Sequence, residues 1–298
     1  MIIIRIWGGL GNQMFQYAFG YAMAKERRTT LKLDTYFFSE KYQSNNSYTN
    51  QRLQITDMTI EFKEQVNSVG EVRSAAFLQK QFVNRVCKVF PSFVLNLKGM
   101  KYVKETRLTY LPKMVTMKGE NLYFDGYWQT EKYFSKYKKE LKEQFTITST
   151  TADAYANKIG ILNQNAVAVH MRLGDYVKKS IVSNYNQIIA PQYYLNAMKD
   201  ILKINPDAKF YVFSNDPKKA KKILDDKVNF ELVNDDRTLS DMEEFKVMSA
   251  CANHIVSNST FSWWAAWLND GNGKTFAPDI FFGNRYIIPD SWIKVSIE

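Results

Sequence analysis

The sequence predicts an α/β protein with two doubly wound halves, and three observations support this prediction. The second half alternates apolar, β-branched segments with helical patterns, an order typical of a parallel sheet. The first half opens with an apolar segment, a glycine-rich turn and a helical pattern, the order found in a nucleotide-binding half. The length of 298 residues and the hydrophobic content of 45% are sufficient for two domains, each with its own core.

The first half begins with a predicted buried strand over 2–6, a turn over 8–12 and a helix over 13–28, with a second strand over 31–33. The turn reads Gly8-Gly9-Leu10-Gly11-Asn12, which is not the dinucleotide fingerprint because the glycine spacing differs. Small residues let backbone amides approach an anion, and a helix start favours negative charge there. The alternative, of equal weight, is a tight turn that needs glycine for geometry alone.

Aromatic residues cluster later in the first half. Tyr123, Tyr127 and Trp128 lie in sequence beside Asp125 and Gln129, and such a group can stack on a sugar and hydrogen-bond to it. An aromatic cluster that packs between domains is an equally good explanation. Further elements are predicted around this group, namely a polar loop, a helix, a strand and another helix, over residues 36–51, 71–90, 122–128 and 131–145.

The Ser- and Thr-rich segment 145–153 is the predicted linker, so we expect domains at 1–150 and 151–298. The regular alternation follows it. Strands are predicted over 166–170, 209–214, 230–233, 254–256 and 275–277, and helices over 191–203, 217–224, 240–252 and 261–268. This half therefore predicts a parallel, doubly wound sheet.

The chain is organised around the strand at 166–170. His170 and Arg172 are two residues apart, so on an extended backbone they point to the same side. Open α/β sheets bind ligands at the carboxyl ends of their strands, and Arg is well shaped to grip phosphate oxygens. Arg172 is therefore a candidate ligand for the pyrophosphate of a nucleotide sugar. The alternative is a surface Arg in a salt bridge with Asp175.

Two further strand ends carry polar groups. Asp216 follows one strand, where its carboxylate could accept hydrogen bonds from a nucleoside or cap the helix opened by Pro217. Residues 257–262 read Ser-Asn-Ser-Thr-Phe-Ser at a helix start, a place that receives an anion well. His254, at the start of a strand, is interpreted as a structural core residue.

Composition narrows the function classes. The net charge of +10 favours anionic partners, but without a block of like charges or zinc-finger spacing nucleic acid is weakly supported. Cys87 and Cys251 suit buried thiols in a reducing compartment. With neither a signal peptide pattern nor a long apolar run, a cytoplasmic protein is expected, with peripheral membrane contact left open. Two His and no Asp-x-Asp predict a site without metal.

The sequence resembles the bacterial α-1,2-fucosyltransferases, within a superfamily that also contains α-1,6- and protein O-fucosyltransferases. Four segments carry the resemblance, in the expected order along nearly the whole chain: residues 8–16, 126–134, 170–176 and 257–264. The third, His-Met-Arg-Leu-Gly-Asp-Tyr, corresponds to the family pattern His-x-Arg-Arg-Gly-Asp. It departs from that pattern at Leu173, where the family has a second arginine. The departure puts acceptor handling or local loop order in doubt, but not donor binding.

The resemblance implies a glycosyltransferase of the GT-B kind, with two Rossmann-like domains facing a cleft. It implies inverting transfer of fucose from GDP-fucose to a galactose-terminated oligosaccharide, without a metal or other cofactor. By the same match Arg172 holds the donor phosphates, and Asn12 and its glycine turn face them from the other domain. Asp175 is a candidate general base, and so is Asp125. The donor-binding set on this resemblance is Gly9, Gly11, Asn12, His170, Arg172, Asp216, Ser259, Thr260, Phe261 and Ser262.

Three alternatives stay open at this point. A fucosyltransferase of another linkage fits, because the donor motifs do not specify the acceptor carbon. A non-catalytic GDP-sugar or glycan-binding protein fits as well, with Leu173 as its only indication. A nucleic-acid binder is supported by charge alone.

Overall fold

The computed structural model describes residues 1–40, 42–43, 51–62, 66–67, 92–97, 99–173, 189–269, 271–281 and 285–297. The chain divides into two compact units, Met1–Thr146 and Ile147–Glu298, which are called unit 1 and unit 2 below. The division lies inside the Ser- and Thr-rich segment 145–153. None of the helices in these described ranges is long and apolar enough to cross a membrane.

Unit 1 contains a six-stranded sheet. Its strands are β1 (Ile2–Arg5), β2 (Leu31–Asp34), β3 (Val66–Asn67), β4 (Ser92–Leu97), β5 (Met100–Glu105) and β6 (Leu122–Asp125). They are ordered β3-β2-β1-β6-β5-β4, and only the β4–β5 pair is antiparallel. The α-helices described in this unit are α1 (Leu10–Arg27) and α2 (Lys138–Gln144), and short 3₁₀ turns lie at Tyr36–Phe38, Ile55–Asp57, Pro112–Met114, Glu131–Tyr133 and Ser135–Tyr137.

Helix α1 packs closely against the strands that flank it in sequence. A Cβ placed on Gly20 would lie 2.9 Å from side-chain atoms of Ile4 and Leu31, so only glycine permits this approach. The helix begins at Leu10, three residues before the predicted start, because Gly9 adopts an extended conformation as N-cap. Gly11 and Asn12 therefore lie inside the first turn of the helix, which fixes the direction of their backbone N–H groups.

Unit 2 contains a second six-stranded sheet. Its strands are β7 (Ala166–Met171), β8 (Lys209–Ser214), β9 (Phe230–Val233), β10 (Asn253–Ile255), β11 (Thr275–Pro278) and β12 (Ile293–Val295). All pairs are parallel, in the order β12-β11-β10-β7-β8-β9. This is the Rossmann strand order, and it has its topological switch between β7 and β10. The helices are α3 (Thr150–Lys158), α4 (Pro191–Ile204), α5 (Pro217–Leu224), α6 (Asp241–Ser249) and α7 (Thr260–Leu268).

The predicted α/β class with parallel sheets is confirmed. The predicted linker 145–153 is partly wrong, because Ser149 caps α3 by accepting a hydrogen bond from the Ala152 N–H, and the helix starts at Thr150. The predicted helix over 131–145 is two 3₁₀ turns followed by the short α2. The sequence analysis missed β3, β4, β5 and β12. In β5 and β12, polar residues at the strand edges hide the β pattern. The helix predicted over 71–90 lies outside the described residues.

Candidate functional site

The site begins at the carboxyl edge of the sheet of unit 2. Strand β7 pairs in parallel with β10 on one side and with β8 on the other, so the segments that follow the three strands meet at one edge. The backbone after β7 is held there by two neighbours. Ser214 Oγ donates to the Met171 carbonyl at 2.8 Å, and the Leu173 N–H donates to Asn215 Oδ1 at 2.8 Å. Half-buried Arg172 lies between these two attachment points.

His170 links this strand end to the segment after β10. Its Nδ1 lies 2.8 Å from Ser257 Oγ, and the residue is only 9% exposed. Burial, followed by the charge of Arg172, lowers the pKa of His170 to about 3. The imidazole is therefore neutral near pH 7 and contributes no positive charge to the edge.

The N-terminus of α7 completes the edge. Ser259 is the N-cap residue, and its N–H donates to the Ser257 carbonyl at 2.7 Å. Its own hydroxyl is buried and has no hydrogen-bond partner among the residues that the structure describes. Thr260 and Phe261 follow, half-buried, and the Phe261 ring lies 6.0 Å from the His170 ring. A buried hydroxyl without a partner, beside the N–H groups of a helix start, is suited to an anionic oxygen.

The remaining predicted residues of this unit are placed as follows. Ser262 Oγ donates back to the Ser259 carbonyl at 3.2 Å. Asp216 Oδ1 accepts from the Lys219 N–H at 3.1 Å, so the capping role considered for it is present. His254 is buried with Nε2 3.1 Å from the Met248 carbonyl, and burial lowers its pKa to about 4, as expected of a structural residue. Asp175 lies outside the described residues.

The glycine turn in unit 1 presents Asn12. Gly8 has a φ of +81°, and a Cβ there would lie 2.8 Å from Asn12 Nδ2. Glycine is therefore required both for the backbone conformation and for the space that the Asn12 side chain occupies. Asn12 Oδ1 accepts a hydrogen bond from Gln129 Nε2 at 2.9 Å. Gln13 is fully buried, and its Nε2 donates to the Gly8 carbonyl at 2.8 Å and to the Arg52 carbonyl at 3.0 Å. These two hydrogen bonds join the glycine turn to the backbone at Arg52.

The proposed sugar-binding role of the segment 123–129 is mostly wrong. Tyr123 and Trp128 are fully buried, and Trp128 stacks on Phe19 inside unit 1 with ring centroids 4.4 Å apart. Buried rings cannot present a face to a ligand. Only Tyr127 is half-buried, and its ring packs against Trp7 with centroids 4.3 Å apart.

Asp125 forms a buried ion pair with Arg5, whose Nη1 lies 3.1 Å from Asp125 Oδ1, and it also accepts from the Tyr102 hydroxyl at 2.5 Å. Burial alone would raise the pKa of Asp125, but the charges of Arg5 and Lys104 hold it below its usual value. A buried, paired carboxylate with a lowered pKa is a poor proton acceptor. The structure therefore removes Asp125 as a candidate general base.

Sequence reasoning missed Arg5 and Glu105. Glu105 Oε2 accepts from the Tyr127 and Trp128 N–H groups at 2.7 and 3.0 Å, and burial raises its pKa to about 7. A charged residue at the end of an apolar strand, as in Ile2-Ile3-Ile4-Arg5, was the signal that could have found Arg5. Glu105 gave no such signal, because β5 was not recognised. Within the described part of the chain no three His, Cys, Asp or Glu side chains are grouped as a metal site.

A parallel sheet with the Rossmann strand order, and with buried polar groups gathered at its switch point, defines a doubly wound α/β protein. Comparison with known families makes this class specific. Residues 1–286 match the model described as Glycosyl transferase family 11, and the chain belongs to that family. The resemblance found in the sequence is thereby confirmed.

Curated relatives cover the chain to different extents. An α-1,2-colitosyltransferase of Escherichia coli is 30% identical over 99% of this chain and 99% of its own length. The O-antigen biosynthesis glycosyltransferase WbnK of Escherichia coli is 27% identical over 97% of this chain and 98% of its own length. Galactoside alpha-(1,2)-fucosyltransferase 1 of Homo sapiens is 22% identical over 53% of this chain and 44% of its own length.

Among solved structures, a mutant of Arabidopsis thaliana FUT1 in complex with GDP matches with a TM-score of 0.52. It is 10% identical, and the match covers 100% of this chain and 74% of that one. The likeness supports the same α/β fold.

Proposed function

We propose that the protein is an inverting galactoside α-1,2-fucosyltransferase that uses GDP-fucose and needs no metal. The single observation that carries the proposal is the edge of unit 2, where Arg172, the neutral His170 and the unpartnered hydroxyl of Ser259 come together at a helix N-terminus. Family membership and the relatives named for α-1,2 transfer support the linkage.

In the proposed reaction, groups at this edge stabilise the negative charge that develops on the departing diphosphate. The acceptor hydroxyl attacks the anomeric carbon, the bond from that carbon to the diphosphate oxygen breaks, and GDP leaves with the electron pair. Arg172, the hydroxyls of Ser259 and Thr260 and the N–H groups of residues 260–262 are the proposed donors to those oxygens, since the Ser259 N–H and the Ser262 hydroxyl already donate within the chain. Gly9, Gly11 and Asn12 are proposed as further contacts to these oxygens, as the family resemblance implies.

The proton of the acceptor hydroxyl needs a destination. Asp175 stays the proposed general base, because Asp125 is committed to Arg5. Asp216 is the proposed nucleoside contact in addition to its capping bond. The proposed acceptor is a terminal galactoside of an O-antigen or lactose-type oligosaccharide, and the name of the WbnK relative supports the first of these.

The donor sugar is the point on which the relatives differ, since one of them is named for colitose. Colitose is a deoxy form of L-fucose, so a site for either sugar meets the same diphosphate and differs at one hydroxyl. The proposal is for fucose, because the four sequence segments resemble the fucosyltransferases.

The test is incubation with GDP-fucose and a panel of galactosides in the presence of EDTA, followed by NMR of the product linkage. A parallel arm supplies GDP-colitose. We expect a fucosyl α-1,2-galactoside at an undiminished rate with EDTA. Another linkage, a preference for GDP-colitose, or loss of transfer after chelation would each contradict the corresponding part of the proposal. Binding of GDP without any GDP release in the presence of acceptors would favour the non-catalytic alternative.

A further inference from the structure

Gln129 and Asn12 are joined by a hydrogen bond that assigns the two ends of the Asn12 side chain. Gln129 Nε2 donates to Asn12 Oδ1 at 2.9 Å, although the residues are 117 positions apart. A carboxamide has an acceptor end and a donor end, and committing the oxygen to Gln129 places the NH₂ group at the opposite side. That group lies against Gly8, 2.8 Å from the position of a Cβ there.

Gln129 can do this because its own turn is held at two points. Glu105 accepts the N–H groups of Tyr127 and Trp128, and a Cβ on Gly126 would already lie 2.4 Å from Glu105 Cβ. Trp128 has a φ of +57°, a strained value for a residue with a bulky side chain. The turn is thus kept in a conformation that it would not adopt alone.

The second attachment is to the helix that carries Asn12. Trp128 stacks on Phe19 of α1 with planes 10° apart, while Gln129 reaches Asn12 in the first turn of the same helix. The turn and the helix therefore share a fixed register, and Gln129 is only 6% exposed. So little exposure argues against a direct sugar contact for Gln129 and leaves the bond to Asn12 as its function.

We propose that Gln129 is a positioning residue, which orients the NH₂ end of Asn12 toward the donor diphosphate, and that Glu105 holds the turn from which Gln129 acts. This inference rests on the proposed function, in which Asn12 meets the donor phosphates. It adds a specific cause for the orientation of Asn12.

The discriminating substitution is Gln129→Glu. The new carboxylate cannot donate to Asn12 Oδ1. The carboxamide of Asn12 therefore rotates by half a turn, so that its NH₂ group donates to the carboxylate. Oδ1 of Asn12 then faces the diphosphate. Gln129→Met removes the bond without imposing the reversed orientation. We expect kcat to fall about tenfold with Met and about a hundredfold with Glu, the scale of a lost and of a reversed hydrogen bond to a charged group. KM for the acceptor should stay unchanged.

The control is Gln144, a buried glutamine of the same unit whose Oε1 accepts from the Glu61 N–H at 2.9 Å and from the Tyr17 hydroxyl. Gln144→Met should lower the melting temperature as Gln129→Met does, but leave kcat unchanged. Equal kinetic losses in the two variants would overturn the positioning role, because they would reflect general loosening of unit 1.

Asn12→Ala supplies the second check. In this background Gln129→Glu should cause no further loss, since the residue that it orients is gone. A full additional loss there would show that the new charge repels the donor directly, and would overturn the inference.

Calorimetric titration with GDP separates this inference from the proposed function. We expect GDP affinity to follow the order parent, Gln129→Met, Gln129→Glu even if the parent transfers a sugar other than fucose. Absence of fucosyl transfer with that order intact contradicts only the proposed function, whereas equal GDP affinity in all three contradicts the positioning role.

Discussion

His170 Nδ1 and Ser257 Oγ lie 2.8 Å apart and join the carboxyl ends of two neighbouring parallel strands. The contact keeps a neutral imidazole beside Arg172 in a buried position. Because the imidazole is uncharged, the positive charge at this edge comes from other side chains. These are Arg172, Lys219, whose Nζ donates to the Leu173 carbonyl at 3.3 Å, and Arg237, whose Nη2 donates to the Asn215 carbonyl at 3.0 Å. The burial of His170 makes the stability of unit 2 depend on pH, because it lowers the pKa of the imidazole.

We predict that the protein loses stability in acid through His170. Its pKa is lowered from 6.5 to about 3 by burial, so the unfolded chain takes up a proton that the folded one refuses. The contribution of neutral His170 to the free energy of unfolding is complete above pH 6.5. It is lost as the pH falls toward 3, by up to about 1.4 kcal/mol for each pH unit. Urea unfolding at several pH values measures it. His170→Gln should flatten this slope relative to the parent, and an unaltered slope would contradict the assignment.

A second prediction concerns the ion pair between Arg5 and Asp125. The two side chains are 11% and 3% exposed, so Arg5→Met leaves a carboxylate buried without its countercharge. We expect a loss of about 3–5 kcal/mol, and recovery of most of it when Asp125→Leu is added. Thermal and urea unfolding report both values. Lys203→Met, which breaks an exposed pair with Asp200, should change stability by less than about 1 kcal/mol.

Substitution of Ser259 tests donor binding separately from the stability of the fold. Its hydroxyl is buried and makes no hydrogen bond within the described ranges, so Ser259→Ala loses no internal bond and should keep or raise the melting temperature. If the hydroxyl donates to the donor diphosphate, kcat/KM for GDP-fucose should fall about tenfold or more, the scale of a hydrogen bond to a charged group. Ser249→Ala is the control, since its hydroxyl donates to the Lys246 carbonyl at 2.9 Å away from the site. Unimpaired transfer by the Ser259 variant would remove this residue from the donor site.

Arg172 carries the largest expected effect. Arg172→Ala should lower kcat at least about a hundredfold, since losing one preorganised donor to developing charge costs about 2.7–4 kcal/mol. Arg172→Lys should also be poor, because lysine keeps the charge but lacks the paired N–H groups. The comparison is Arg27→Ala, an arginine of unit 1 whose Nη1 donates to the Val115 carbonyl at 3.1 Å and which should affect stability alone. Near-normal turnover by Arg172→Ala would contradict the proposed function.

Much of unit 2 was predictable from the sequence. Its apolar segments alternate with helical patterns, and the residues after β7, β8 and β10 were expected at one edge because the carboxyl ends of parallel strands meet there. The capping role of Asp216 and the core position of His254 were also expected, since both depend on nearby residues. The roles proposed for Tyr123, Asp125 and Trp128 were less successful, because aromatic and acidic residues look alike in sequence whether they face a ligand or the core.

By itself, then, the sequence determined the α/β class, the family and the grouping of His170, Arg172 and the hydroxyls of 257–262. Short-range periodicity specifies the strands, and parallel pairing brings their carboxyl ends to one edge of the sheet. Only the tertiary structure decided that Asp125 pairs with Arg5 and that Gln129 fixes Asn12. These contacts join residues 120 and 117 positions apart. They arise from how β1, β6 and α1 pack together, and no local pattern of charge or polarity specifies which distant partner a side chain will meet.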